Sequence, residues 1–303
     1  MHLLKKSILK VITYFDVFNY PVNLQELNFF LDQPAENPDH IRHAAEELIE
    51  SGILYKINGF YLLKNDSTLV ERRLKGNKEA GSKLEKAVEI ARFLSKFPYI
   101  NGIAISGSLS KNFSYEGSDL DFFIITKANR LWLAKTFFTV FLKIARLFNK
   151  GHLYCLNYFI DEMALEIEEK NIFTATEIIT LLPCEGRKLF DDFFAANKWV
   201  DACLPNSIIN KKYSKEMKSW FFKKMIESIF NNRMGNAVDT AILNYYHRRW
   251  EQLRKKNVFT NIGFQLGGLV ARKHCCKPFP EHIQKNILDK FERKYKTIIS
   301  SSV

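Results

Sequence analysis

Apolar residues recur every three or four positions through "LKKSILKVITYFDVF" (4–18) and, after Pro21, through "NLQELNFFL" (23–31). That spacing predicts two helices, the second capped by Asn23. A third stripe runs through "NPDHIRHAAEELIESG", with Ile41, Ala44, Ala45, Leu48 and Ile49 on one face. Asn37 is its cap, Pro38 suits the first turn, and Gly52 ends it. Around Asn58-Gly59 in "ILYKINGFYLLK" the pattern reads strand, turn, strand, the strongest short hairpin signal. Three helices and a hairpin predict a winged helix over 1–66.

The next stretch mixes both periods. Helical spacing over 67–97 stops at Pro98. "YINGIAIS" reads as a strand, Gly107-Ser108 as a turn, and "DLDFFIIT" as a second strand. A long helix over 128–149 follows, then a third strand in "HLYCLNYFID" (152–161), a fourth in "ALEIEE" (164–169) and a helix over 175–182. Beyond "PCEGRKLFDDFFAANKW" the pattern is mostly helical. The expected fold class is α+β, with a winged helix at 1–66, a central mixed sheet with flanking helices at 67–182, and a basic helical domain at 183–303.

Composition removes several classes. No run reaches 18 uninterrupted apolar residues, and the nearest, "LWLAKTFFTVFLKIARLF", carries Lys135, Lys143 and Arg146. It reads as an amphipathic helix, so no integral membrane association is expected. The N-terminal stretch has no clean apolar core and no small-residue cleavage site, so no signal peptide is read. The five cysteines include no Cys-x-x-Cys pair, which suits reduced thiols and a cytoplasmic location.

Charge is uneven. Residues 207–303 hold 20 Lys and Arg against 7 Asp and Glu, a net of +13, while the remaining residues hold 25 against 26, a net of −1. A basic region of this kind favours RNA, another polyanion or an anionic membrane surface. The aromatic and arginine cluster around His247 in "YYHRRWEQLRKK" is its clearest candidate grip. The winged helix points elsewhere. Its third helix carries Glu46, Glu47 and Glu50 against Arg42, which repels phosphate and suits protein contact or packing.

The chemistry concentrates in "SGSLSKNFSYEGSDLDFFII". Asp119 and Asp121 lie two apart at the start of an apolar strand, so both point to one face. Two carboxylates there repel unless a cation offsets them, and hard oxygen ligands suit Mg²⁺ or Mn²⁺. Gly107 lets a phosphate come close to the backbone, and Ser108 adds a hydroxyl. This segment resembles the signature of the DNA polymerase β-like nucleotidyltransferase superfamily: a Gly-Ser pair, a spacer, then Asp-x-Asp in an apolar strand. The motif covers about 20 residues, and the order of elements over about 80–165 agrees.

The resemblance implies that Asp119 and Asp121 ligate the metal. It implies that Gly107 and Ser108, with Lys111 and Ser118, bind the triphosphate, ATP being the default. The implied reaction moves a nucleoside monophosphate to an acceptor hydroxyl and releases pyrophosphate. The departure is the third carboxylate, which family members carry on a later strand. By the period-two rule Asn157 and Asp161 share one face of the 152–161 strand. Asn157 is the structural match, able to coordinate a metal but not to take a proton. Asp161 is the acid on that face, and the sequence leaves both open. A nucleotide-binding regulator with weakened turnover is the alternative, and a winged-helix nucleic-acid binder a further one.

Overall fold

Local signals are met by local structure. Asn23 accepts from the Glu26 N–H, and Glu26 reaches back to the Asn23 N–H, so a capping box opens the second helix. Asn37 accepts from the Asp39 N–H, with Pro38 in the first turn. Asn58 and Gly59 both have positive φ, 50° and 82°, as a tight two-residue hairpin turn requires.

The computed structural model of the chain describes residues 2–34, 37–147, 154–255, 270–277 and 281–301. The first elements are α1 (His2–Asp16), β1 (Val22–Asn23), α2 (Leu24–Phe30), α3 (Pro38–Glu50), β2 (Tyr55–Ile57) and β3 (Phe60–Leu62). Then come α4 (Ser67–Leu94), β4 (Ile100–Ile105), α5 (Gly107–Ser110), β5 (Leu120–Thr126), α6 (Leu131–Leu147), β6 (Tyr154–Asp161), α7 (Ile172–Ile179) and β7 (Leu182–Glu185). The last are α8 (Arg187–Ala196), α9 (Trp199–Cys203), α10 (Phe221–Phe230), α11 (Arg233–Lys255), β8 (Val270–Arg272), β9 (Cys275–Lys277) and α12 (Glu281–Ser301). Among the described residues the fold is α+β, with a mixed sheet and no barrel.

A three-stranded antiparallel sheet, ordered β1-β3-β2, accompanies the first three helices. The main sheet is ordered β7-β4-β5-β6-β9-β8. Its β5 and β6 run parallel, joined by α6, and its other neighbours run antiparallel. Strand alternation divides the core in two. Ile103, Ile105, Phe122, Ile124 and Phe159 pack with residues of α4, α6 and α11. Ala104, Phe123, Ile125 and Ile160 pack on the other side with the N-terminal helices and α7, α8 and α9.

Three expectations need correction. Residues 164–169 form no strand; Asn197 instead ties down their backbone, donating to the Leu165 carbonyl and accepting from the Ile167 N–H. The boundary expected at 182/183 falls inside β7, which pairs with β4 in the main sheet. The C-terminal region is not purely helical: the β8–β9 hairpin extends the sheet from β6, and α12 returns to the first helix. There Lys294 pairs with Asp16, and the Tyr295 hydroxyl donates to the Lys6 carbonyl. Strands of three residues are too short to carry a period, so "KHCCK" gave no warning of one.

Candidate functional site

The Gly-Ser turn and the two aspartates meet at one end of the sheet. β4 leads into the turn, β5 leaves the aspartates, and the two strands are paired, Ile105 opposite Phe122. The Ser106 N–H donates to the Asp121 carbonyl at 3.0 Å, which carries the pairing one step further. Gly107 has φ +69°, and a Cβ there would collide with the Asp121 carboxylate. An L side chain is therefore disfavoured twice at position 107, by backbone conformation and by space. The sequence-predicted pair Gly107 and Asp121 is thus in direct contact. Asp119, immediately before β5, is exposed, and Asp121 is half-buried.

The loop between turn and aspartates is held from two sides. Phe113 lies where a Cβ on Gly76 of α4 would be, and the Ser114 N–H donates to the Gly76 carbonyl. Tyr20, from the segment between α1 and β1, donates its hydroxyl to the Lys111 carbonyl at 2.7 Å. Its ring lies 3.7 Å from the Arg73 guanidinium, which in turn pairs with Glu26. Burial and the nearby Glu26 carboxylate push the Tyr20 phenol well above its ordinary range, so it stays a neutral donor. The N-terminal helices therefore buttress the turn.

Lys111 belongs to the turn, but its charge is engaged. Its ammonium donates to the Gly107 carbonyl at 3.0 Å and pairs with Glu177 of α7 at 2.8 Å. Ser118 shares a 2.7 Å hydroxyl contact with Ser114, and the Lys83 ammonium donates to its hydroxyl at 3.1 Å. Lys83 and Glu177 were not singled out by sequence. Glu177 had a legible signal, a lone acid inside the otherwise uncharged helix "IFTATEII". Lys83 had none, being one of many cations along α4.

Asp161 is not brought to this site. Leu156 pairs with Phe122 but Tyr158 pairs with Phe123, so β6 bulges by one residue at Asn157. One inserted residue exchanges the two faces of the strand beyond it. Before the bulge, Cys155 stands beside Asp121; after it, Asp161 stands beside Thr126. Asp161 therefore faces the side opposite the Asp121 carboxylate, about five residues or roughly 16 Å further along the sheet. The expectation that it shares their face is overturned, because the period-two rule assumed an unbroken strand. The side chains of Cys155 and Asn157 lie outside the described residues.

At its own end Asp161 is fully buried and its oxygens are occupied. One oxygen accepts from the Asn129 N–H at 3.0 Å and lies 2.7 Å from His274 Nδ1; the other accepts from the Met163 N–H at 2.9 Å. An ionised carboxylate only accepts, so the imidazole nitrogen donates. Nearby Asp239 of α11 accepts from the Leu133 N–H at the start of α6, and burial pushes its carboxyl up to about 6.

Two carboxylates against a glycine turn can hold a hard divalent cation and a phosphate chain. Among the described residues no group of three or more His, Cys, Asp or Glu side chains is placed to hold a metal. The basic surface of α11 lies apart from them: Trp250 is buried, with its ring against Trp132, while His247, Arg248 and Arg249 are exposed. No protein-family model, curated protein or solved structure matches the chain.

Proposed function

We propose that the chain is a Mg²⁺-dependent nucleotidyltransferase. On this reading residues 2–62 are a winged helix, β4 to β6 with α5 and α6 are a polymerase β-like core, and the basic C-terminal elements help select the acceptor. The observation that carries it is the contact between Gly107 and the Asp121 carboxylate, with the exposed Asp119 two residues earlier in the chain, just ahead of β5. A triphosphate would lie along the Gly107-Ser108 turn. Asp119 and Asp121 would hold the cation, which supplies charge neutralisation to the phosphates. An acceptor hydroxyl oxygen forms a bond to the α-phosphorus, the bond to the bridging oxygen breaks, and pyrophosphate leaves with its electron pair. The acceptor proton passes to water or to the phosphate chain. The residues' part is to position and to balance charge.

A second reading has its own observation. In register the strand position beside Asp121 is Cys155, and Asp161 is at the far end, so no third carboxylate from β6 stands ready as a base. A nucleotide-binding regulator of the same fold with slow turnover fits that arrangement.

Thermal melts with each of the four nucleoside triphosphates, with Mg²⁺ and with EDTA, test the site. Saturation at 100 times the dissociation constant adds about 2.7 kcal/mol. The expected result is stabilisation by a triphosphate only with the metal, lost in Asp119→Ala/Asp121→Ala. Release of pyrophosphate in the presence of candidate acceptors then separates the enzyme from the regulator. If no triphosphate stabilises the folded chain under any condition, the site reading is wrong.

A further inference from the structure

α10 is built inside out. Its protein-facing side carries two charges fixed by hydrogen bonds. Lys223 is 7% exposed, and its ammonium donates to the Ser95 and Ile100 carbonyls. Glu227 accepts from the Tyr99 N–H at 2.7 Å. The opposite side carries Phe221, Met225 and Ile229 at successive turns, with Phe222 alongside, within an arc of about 100°. These are 76%, 47%, 52% and 72% exposed. Trp220 just before the helix and Met234 just after it are also exposed. A surface helix of a soluble domain normally turns its apolar stripe inward. Here two hydrogen-bonded polar anchors, one of them the buried Lys223, hold the helix in the reverse orientation, and a contiguous exposed apolar face marks a contact surface.

The charges around that face select its partner. Lys212, Lys215, Lys218, Lys224 and Arg233 are exposed along the same stretch, against the exposed acid Glu216. Lys211 is paired with Asp191. We propose that α10 and the segment leading into it form an interfacial anchor. Trp220, Phe221, Phe222, Met225 and Ile229 enter the surface of an anionic lipid bilayer, and the surrounding lysines lie at headgroup level. A second copy docked on the same face would set these lysines against their own counterparts. A nucleic acid would neutralise them but leave Met225 and Ile229 in water. A bilayer with acidic headgroups takes both halves of the surface. No described helix is long and apolar enough to cross a membrane, so the contact is peripheral, and it stands whether or not the nucleotide reading does.

The test is co-sedimentation of the full chain with vesicles of phosphatidylcholine alone and of phosphatidylcholine mixed with phosphatidylserine. The wild type is expected to bind the mixed vesicles and to be released by salt. Lys218→Gln/Lys224→Gln removes two cations and is expected to weaken partition about 25-fold, at about fivefold each. Phe221→Ser/Met225→Ser is expected to weaken it at least about tenfold, with an unchanged melting temperature because both side chains are exposed. No binding of the folded wild type at low salt overturns the proposal, as does equal binding to both vesicle types. It is also overturned if the apolar variant binds vesicles like wild type. A dimer that the apolar variant dissolves, or RNA binding that it abolishes, in a chain that ignores vesicles, assigns the face to that partner instead.

Discussion

The two ends of the β5–β6 pair each carry acidic residues, and they are used in opposite ways. At the far end Asp161 is fully buried, and three donors, from Asn129, Met163 and His274, use its oxygens. At the near end Asp119 is exposed and Asp121 half-buried, with the Asp121 carboxylate against the bare backbone of Gly107. Saturated and dry, Asp161 is a knot that ties β6, the β8–β9 turn and the loop before α6 together. Asp119 and Asp121 stand nearer to solvent, and on the proposed reading they would hold a cation. The difference teaches that burial and backbone surroundings, more than place in a strand pattern, set what a carboxylate can do.

The largest effect that probes this comparison is on turnover. On the proposed reading Asp121→Ala removes a metal ligand, and the rate of pyrophosphate release is then expected to fall by about 10³-fold or more, with little change in the unfolding midpoint. A variant that unfolds yet turns over normally when folded would make Asp121 structural and merge the two ends into one kind. Asp161→Ala should do the reverse. It strands two backbone N–H groups and the imidazole, at about 1–3 kcal/mol each, so urea unfolding should show a loss of about 3 kcal/mol or more. Triphosphate-dependent stabilisation should persist in the fraction that folds. Its loss in the milder Asp161→Asn, with the fold intact, would place Asp161 in the ligand site after all.

Gly107→Ala comes next. A left-handed backbone costs an L residue about 1–2 kcal/mol, and the new methyl collides with the Asp121 carboxylate. Stability should fall by about 2 kcal/mol, and the metal-dependent triphosphate shift should vanish; a retained shift would detach the turn from the aspartates. The effect confined to a pH window is at the far end. Burial raises the Asp239 carboxyl from 3.8 to about 6. Between those values the folded chain holds a proton that the unfolded chain has released. Its stabilising contribution is therefore complete below pH 4 and lost as pH rises through 6. Asp239→Asn should flatten the unfolding curve in that window, by up to about 3 kcal/mol, while the near end is unaffected. An unchanged slope would show that Asp239 titrates as an exposed acid.

Much of the near end was legible because it is local. The Gly-Ser turn and the strand that follows depend on residues within one short stretch, and Gly107 meets Asp121 beside a single antiparallel pairing. The helix caps at Asn23 and Asn37 and the Asn58-Gly59 hairpin were readable for the same reason. The far end was misread because one inserted residue at Asn157 exchanges the faces of β6 beyond it, and the bulge is visible only in the register against β5. The pairing of Lys111 with Glu177 was likewise out of reach, since the two residues are far apart in sequence.

The sequence by itself determined the first three helices with the caps at Asn23 and Asn37, the Asn58-Gly59 hairpin and the strands around the Gly-Ser turn, and which residue types stand together in the Gly-Ser and Asp-x-Asp stretch. Backbone conformation and side-chain period are properties of neighbours along the chain. Only the tertiary structure decided that β7 and the β8–β9 hairpin complete the main sheet, that α12 returns to α1, and that α10 turns its apolar side outward. Register, strand order and the direction a helix faces are set by contacts between distant segments. A one-residue slip or a buried lysine reverses them without changing any local pattern.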